Sequence, residues 1–265
     1  MKQVILISGA ARGMGFVTAN RLHQAGYRVF GAGRNPKPAD APFRLLPLDV
    51  GDEASVQACV AQVIDEAGQI DVLVNNAGYD LYGAAEETPW TEFLAQVDTN
   101  FFGALRLTQA VLPQMRKQGG GKIVTVSSIG VLLALPYNSA YAASKFALEG
   151  YSEALRYELL PANIFVSLIE PGQVRTDTLD SSIRSVPTPL AGRVAERARA
   201  QGRVANLTSE QVSDAIVRVL ETPQPRLRYR VGRQVQAVVL LKQLLPQALF
   251  ERFIMRQFVQ PVTEA

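Results

Sequence analysis

Three kinds of side chain in one stretch could move a proton. Positions 127–145 read Ser-Ser-Ile-Gly-Val-Leu-Leu-Ala-Leu-Pro-Tyr-Asn-Ser-Ala-Tyr-Ala-Ala-Ser-Lys. Tyr141 and Lys145 are four apart, so on a helix they lie on one face. Ser127 and Ser128 follow directly on the apolar run 123–126, which reads as a strand. A phenol, an ammonium and a hydroxyl can therefore meet at one end of a sheet. Such a set can move a proton to or from a substrate oxygen, provided another group carries the hydride.

Something must position these groups, and the N-terminal sequence shows how. The apolar run 4–7 suits a strand buried on both faces. It passes into Ser8-Gly-Ala-Ala-Arg-Gly-Met-Gly15, then a helical pattern with Phe16, Ala19, Leu22 and Ala25 apolar and Gly26 at its end. Glycines between a strand and a helix let the backbone approach a pyrophosphate, and the helix N-terminus supplies amides. A tight turn with no ligand is the plain alternative for this motif taken singly. The next strand, 27–32, ends in Gly33-Arg34-Asn35, and no acidic residue lies between Val29 and Pro38. An acidic residue there would accept a ribose 2′-hydroxyl, whereas arginine suits a 2′-phosphate. Arg34 and Arg12 are both placed for that phosphate.

Further strands are expected at 43–48, ending in Asp49-Val50, at 71–75, ending in Asn76-Ala77-Gly78, and at 122–127, 164–169 and 226–231. Helices are expected at 53–67, 90–115, from about 139 to 158, and 208–220, the last capped by Thr208 or Ser209. Asn100 falls inside the 90–115 helix, where an amide competes for backbone hydrogen bonds, so a kink is expected there. Strands alternating with helices imply an α/β fold, a doubly wound parallel sheet with helices on both faces. Ligands of such sheets bind beyond the strand C-termini, where every motif above falls. No repeat or linker interrupts the chain, which reads as one domain over 1–265.

Composition narrows the field. In 265 residues, 48% are hydrophobic and 19% charged, as in soluble globular proteins. No apolar run reaches the ~18 residues of a membrane-spanning helix. Cys59 is the single cysteine, which predicts a reducing, cytoplasmic setting without an intrachain disulfide. His23 is the single histidine and sits in a helical pattern, and no cluster has metal-ligand spacing, so no metal is expected. The net charge of +3 comes with scattered arginines and no nucleic-acid motif, so no nucleic-acid partner is expected.

Taken in order, Gly9-x-x-x-Gly13-x-Gly15, Asn75-Asn76-Ala77-Gly78, Asn100, Ser128, Tyr141-x-x-x-Lys145 and Pro171-Gly172 followed by Thr176 resemble the short-chain dehydrogenase/reductase family, over nearly the whole chain. Ser8 stands where threonine is usual and Met14 where isoleucine is usual. The run from Lys145 to Gly150 and the tail after Gly232 resemble the 17β-hydroxysteroid and retinol dehydrogenase branch. The resemblance implies an oxidoreductase that transfers hydride between NADP(H), preferred over NAD(H), and a carbonyl or secondary alcohol. It implies Tyr141 as general acid/base, Lys145 on the nicotinamide ribose, the Lys145 ammonium and the oxidised nicotinamide together lowering the tyrosine pKa, and Ser128 on the substrate oxygen. Ser128 is preferred to Ser127 because the family spacing to the tyrosine is thirteen. Asn100 would hold a water linking Lys145 to solvent. The cofactor would lie against Gly9, Arg12, Gly13, Met14, Gly15, Arg34, Asp49, Val50, Asn76, Ala77, Gly78, Tyr141, Lys145, Pro171, Gly172, Val174 and Thr176. A homodimer or homotetramer is implied as well. A catalytically idle dinucleotide-binding regulator on the same fold is the alternative.

Two segments are left. Residues 176–206 read as a loop with a short helix, a substrate lid. In 235–258, Leu240-Leu241, Leu244-Leu245, Leu249-Phe250, Phe253-Ile254 and Phe258 recur at helical spacing, broken at Pro246, with Lys242, Arg252 and Arg256 between them. This predicts two short amphipathic helices. Three roles stand open for them: packing on the core, closing an apolar pocket for a lipophilic substrate, or touching a membrane surface.

Overall fold

The computed structural model describes residues 3–37, 41–175 and 182–260. Strand β1 (Val4–Ser8) leads to helix α1 (Gly13–Gln24), β2 (Arg28–Gly33), β3 (Arg44–Pro47), α2 (Glu53–Ala67), β4 (Val72–Asn75) and β5 (Asp80–Tyr82). Helix α3 (Trp90–Val97), a π-helical turn (Asp98–Phe102) and α4 (Gly103–Lys117) follow. Then come β6 (Gly121–Val126), α5 (Ser139–Leu159), β7 (Ile164–Pro171), β8 (Val174–Arg175) and β9 (Ile183–Ser185). The chain continues through the helix Pro189–Arg203, β10 (Leu207–Thr208), the helix Ser209–Glu221 and β11 (Arg228–Val231). It ends on the helices Arg233–Leu244 and Gln247–Ile254 and a π-helical turn, Met255–Val259.

Seven strands form one sheet in the order β11-β7-β6-β4-β1-β2-β3, with every neighbouring pair parallel. Alternation explains the two faces, because successive side chains of a strand point opposite ways. In β1, Val4 and Leu6 join one core with Val56, Val60 and Val63 of α2 and Leu107, Val111 and Met115 of α4. Ile5 and Ile7 join the other core with Ala19 and Leu22 of α1 and Val212, Ile216 and Val219 of the helix Ser209–Glu221. Full burial of each such side chain contributes about 1.5–3 kcal/mol. Since all seven strands are parallel, their C-terminal ends share one edge. The strand order reverses between β1 and β4, which opens a crevice at that edge.

Local chemistry sets the element ends. Asp52 accepts the Ala54 N–H at 3.0 Å and starts α2, and Gly68, at φ +77°, ends it. Thr208 and Gln211 form a capping box at the start of the helix Ser209–Glu221. The expected 90–115 helix is interrupted by the π-helical turn at Asp98–Phe102, centred on Asn100. Such single turns take up an extra residue inside a helix and recur at functional sites. The tail forms two helices divided at Pro246, as its spacing predicts.

The 176–206 reading needs revision where the segment is described. It contains a helix of 15 residues, Pro189–Arg203, capped by the Thr188 hydroxyl, and β9, which pairs with β5. The buried face of that helix is made of small residues, Ala191, Val194, Ala195 and Ala198, with arginines around it. A narrow face of small side chains gives a weak apolar period.

Candidate active site

The glycine turn is bound to the neighbouring strand by side chains. The Ser8 hydroxyl accepts the N–H groups of Asn76 at 3.0 Å and Ala77 at 3.1 Å, and the Asn76 amide donates to the Ser8 carbonyl at 3.0 Å. Serine at position 8 therefore retains the bonding role of a hydroxyl residue. Gly9 and Gly13 have φ of +68° and +57°, where glycine is favoured. A Cβ on Gly15 would lie 2.3 Å from the Gly9 carbonyl oxygen and 2.4 Å from the Asn76 amide nitrogen. Gly15 thus serves close packing and does not itself line the crevice. Helix α1 carries no capping side chain and no acidic residue in its first turn, so its leading amides are left for an anion.

The crevice is a cleft of about 1010 Å³, lined by Gly9, Arg12, Gly13, Met14, Arg34, Asp49, Val50, Asn76, Ala77, Gly78, Ser128, Tyr141, Lys145, Pro171, Gly172 and Val174. Every sequence-derived site residue just named is thus brought to one cavity. Thr176 lies outside the described residues. Arg12 and Arg34 are exposed, and among the described residues neither has an ion-pair partner. Lys37 lines the same end of the cleft. The uncapped helix start, the glycine cradle and these cations fit a phosphate-rich dinucleotide.

Helix α5 carries Tyr141 and Lys145. Lys145 is buried and donates to the Val126 carbonyl, the last residue of β6, at 2.9 Å. Its ammonium nitrogen lies 5.7 Å from the centre of the Tyr141 ring. The Tyr141 and Ser128 hydroxyls share a hydrogen bond, and Ser128 also accepts the Gly130 N–H at 3.0 Å. Ser127 is buried and, among the described residues, its hydroxyl has no hydrogen-bond partner. Burial lowers the Lys145 ammonium to about 8, against the pull of Asp80 and Glu149.

Tyr141 departs from expectation. In the protein its pKa is raised, first by burial and then by the charge of Asp80, with the Ser128 bond opposing. The lowering is expected from Lys145 and an oxidised nicotinamide together; the protein's own groups, taken alone, act in the other direction. The physical reason is that desolvation and a nearby carboxylate both disfavour a phenolate.

Asn100 is buried and does not line the cleft. Its amide accepts the Tyr79 N–H at 3.0 Å and donates to the Tyr79 carbonyl at 3.0 Å and to the Ser144 hydroxyl at 3.3 Å. Its side chain therefore holds the chain segment that follows Gly78. The Tyr79 carbonyl has a second donor in Gln96, at 3.0 Å. Asn100→Ala should orphan the Tyr79 N–H and lower stability by about 1–3 kcal/mol, read from the urea midpoint.

Motif reading missed Asp80. It is half-buried on the cleft wall and accepts from the Asn138 amide at 3.0 Å and from the Tyr82 hydroxyl. The available signal is an acidic residue among apolar neighbours directly after the Asn76-Ala77-Gly78 turn. Of the roles left open for the tail, lining an apolar pocket agrees with Phe258, which meets the cleft together with Leu133, Leu135 and Ile183, three residues the sequence reading did not single out. The tail is tied down by Lys242, which donates to the Leu132 carbonyl at 2.8 Å, and by Arg197, which donates to the Gln257 carbonyl at 3.1 Å.

Comparison with known proteins agrees with this geometry. The family model for short chain dehydrogenase matches residues 3–186. The 3-ketodihydrosphingosine reductase of Bacteroides thetaiotaomicron is 39% identical over 245 residues, covering 89% of this chain and 90% of that protein. Retinol dehydrogenase 8 of Bos taurus is 33% identical, covering 92% and 86%. A short-chain dehydrogenase structure from Streptomyces avermitilis superposes with a TM-score of 0.82 at 30% identity over 99% of each chain. Two Burkholderia neighbours were solved with dinucleotides. The B. cenocepacia protein holds NADP (TM-score 0.75, 25% identity, 95% and 97% covered), and the B. phymatum protein holds NAD (0.83, 23%, 91% and 93%). The chain belongs to the short-chain dehydrogenase family, with the nicotinamide-dinucleotide oxidoreductase fold of its relatives.

Proposed function

We propose that this protein reduces a lipophilic ketone, or oxidises the matching secondary alcohol, with NADP(H), using Tyr141 as the proton donor and acceptor. The observation that carries the reading is the cluster of a Ser128 hydroxyl bonded to the Tyr141 phenol with the Lys145 ammonium beside the same ring. The nicotinamide supplies the hydride when bound. The glycine turn, Asn76 to Gly78 and Pro171 to Val174 would hold the dinucleotide, and Arg12, Arg34 and Lys37 would face a 2′-phosphate.

During reduction, Ser128 holds the carbonyl oxygen by a hydrogen bond that strengthens as charge develops there. Tyr141 gives its proton to that oxygen. Lys145, kept in place by the Val126 carbonyl, steadies the phenolate that remains. A lipophilic substrate suits Leu133, Leu135, Ile183 and Phe258 at the far end of the cleft, with the tail and the helix Pro189–Arg203 closing over it. The curated relatives include one named as a reductase of a keto compound and one named for retinol, which supports the substrate class. The test is NADPH consumption with a series of 2-ketones of increasing chain length. kcat/KM should rise with length, and no turnover on any ketone or alcohol of the series would overturn the reading.

Lys145 gives the pH behaviour. Only its charged form supports a phenolate, so kcat/KM for reduction should fall as pH rises through about 8. Stability should move the other way. The folded pKa lies below the unfolded 10.5, so the unfolded chain binds more protons in between, and stability rises with pH across that window. A pH series of kcat/KM and of the urea midpoint checks both signs.

A further inference from the structure

Two described carboxylates line the cleft, Asp49 and Asp80. Asp49 lies at the β3 end, where its carboxylate accepts the Gly51 N–H at 2.9 Å. Asp80 lies at the chemical end, and the chemistry proposed above does not use it. Its position is unfavourable for that chemistry. A negative charge beside Tyr141 opposes formation of the phenolate. Among the described residues no cation forms an ion pair with Asp80, and the Lys145 ammonium gives its hydrogen bond to the Val126 carbonyl instead.

Asp80 is nevertheless firmly held. It begins β5, which pairs with β9, so its backbone is fixed opposite Ile183. The Asn138 amide donates to Asp80 at 3.0 Å and to the Leu81 carbonyl at 2.9 Å, joining the start of α5 to this strand. The Tyr82 hydroxyl gives a second bond. A carboxylate offers about four acceptor positions, so these two donors leave capacity on the side open to the cleft. Burial raises its pKa only to about 6, so the carboxylate is mainly ionised at neutral pH.

We infer that Asp80 is the recognition site for a protonated amine on the substrate, so that the preferred ketone is an apolar-chain α-amino ketone. This rests on the reductase reading, since Tyr141 must meet the carbonyl oxygen for Asp80 to meet the neighbouring amine. An ammonium at Asp80 satisfies the open side of the carboxylate and offsets the charge that opposes phenolate formation at Tyr141. A neutral ketone of the same length leaves that charge with only the partial compensation of the Lys145 ammonium. Asp80 therefore selects the amine in binding and makes proton transfer easier when the amine is present.

The test uses the full chain and two ketones of one chain length, with and without the α-amino group. Wild type should favour the amino ketone in kcat/KM by roughly 10- to 100-fold, the range for a charge-assisted hydrogen bond. Asp80→Asn keeps an oxygen for Asn138 and should collapse that ratio toward one, whatever its absolute rates. Equilibrium binding of the matched amino alcohol and plain alcohol to the NADP-saturated protein gives a second readout. The wild-type preference for the amino alcohol should vanish in Asp80→Asn. Equal use of the two ketones by wild type overturns the inference while leaving the reductase reading intact. If neither ketone turns over, the reductase reading fails, and binding still decides Asp80: an amine preference lost in Asp80→Asn upholds its role, and equal affinities overturn it.

Discussion

Tyr141→Phe is expected to lower the rate of ketone reduction roughly a hundred- to ten-thousand-fold, the contribution of a positioned general acid. The substitution removes one oxygen and keeps the ring, so the contact of Lys145 with the ring face persists. Ser128 loses one partner and keeps the Gly130 N–H. The glycine turn, Arg12 and Arg34 are untouched, so NADPH affinity should stay at the wild-type value. The prediction is specific because it separates proton transfer from cofactor binding. It is read from single-turnover rates beside an NADPH titration. Retention of more than about a tenth of the wild-type rate, a barrier change under ~1.4 kcal/mol, would exclude Tyr141 as proton donor.

The second large effect is expected in cofactor choice. β2 ends against the glycine turn, since a Cβ on Gly33 would stand 3.1 Å from the Ala11 methyl. That approach puts Arg34 and Arg12 on the lining of one cleft, with Lys37 beyond them. An arginine–phosphate contact contributes about 1.5–3 kcal/mol, or roughly one to two decades of affinity for NADPH over NADH. Both arginines are exposed, so the preference should shrink as salt rises. Arg34→Asp replaces attraction by repulsion of the 2′-phosphate and offers a carboxylate to a ribose 2′-hydroxyl. The ratio of kcat/KM for NADPH to that for NADH should fall to one or below. Equal use of both by the wild type would end the argument from β2.

Much of this molecule is legible in one dimension. The helix expected at 53–67 is observed as Glu53–Ala67, because Asp52 and Gly68 mark its ends through bonds and dihedrals within a few residues. The parallel sheet follows from strands that alternate with helices and are apolar on both faces. The glycine turn and the one-turn spacing of Tyr141 and Lys145 are equally local. The π-helical turn at Asn100 was foreshadowed by an amide in a helix interior.

Other features depend on residues far apart in the chain. β5, β8, β9 and β10 have only two or three residues each and exist through pairing with distant partners. Phe258 reaches the cleft only once the tail is tied back to Leu132 through Lys242 and to the helix Pro189–Arg203 through Arg197. The raised pKa of Tyr141 shows the same limit. Counting the nearby Lys145 along α5 and an oxidised nicotinamide predicts a lowered value, whereas in the protein alone burial and Asp80 raise it. Desolvation and Coulomb forces depend on distance in space, and it is the pairing of β5 with β9, with Asn138 holding the carboxylate, that brings Asp80 to Tyr141. The amino-acid sequence determined the alternation of strands and helices, the glycine turn and the one-turn spacing of Tyr141 and Lys145, since each arises from neighbours in the chain. The tertiary structure decided the electrostatics around Tyr141 and the walls of the cleft, since these arise from groups that folding alone brings together.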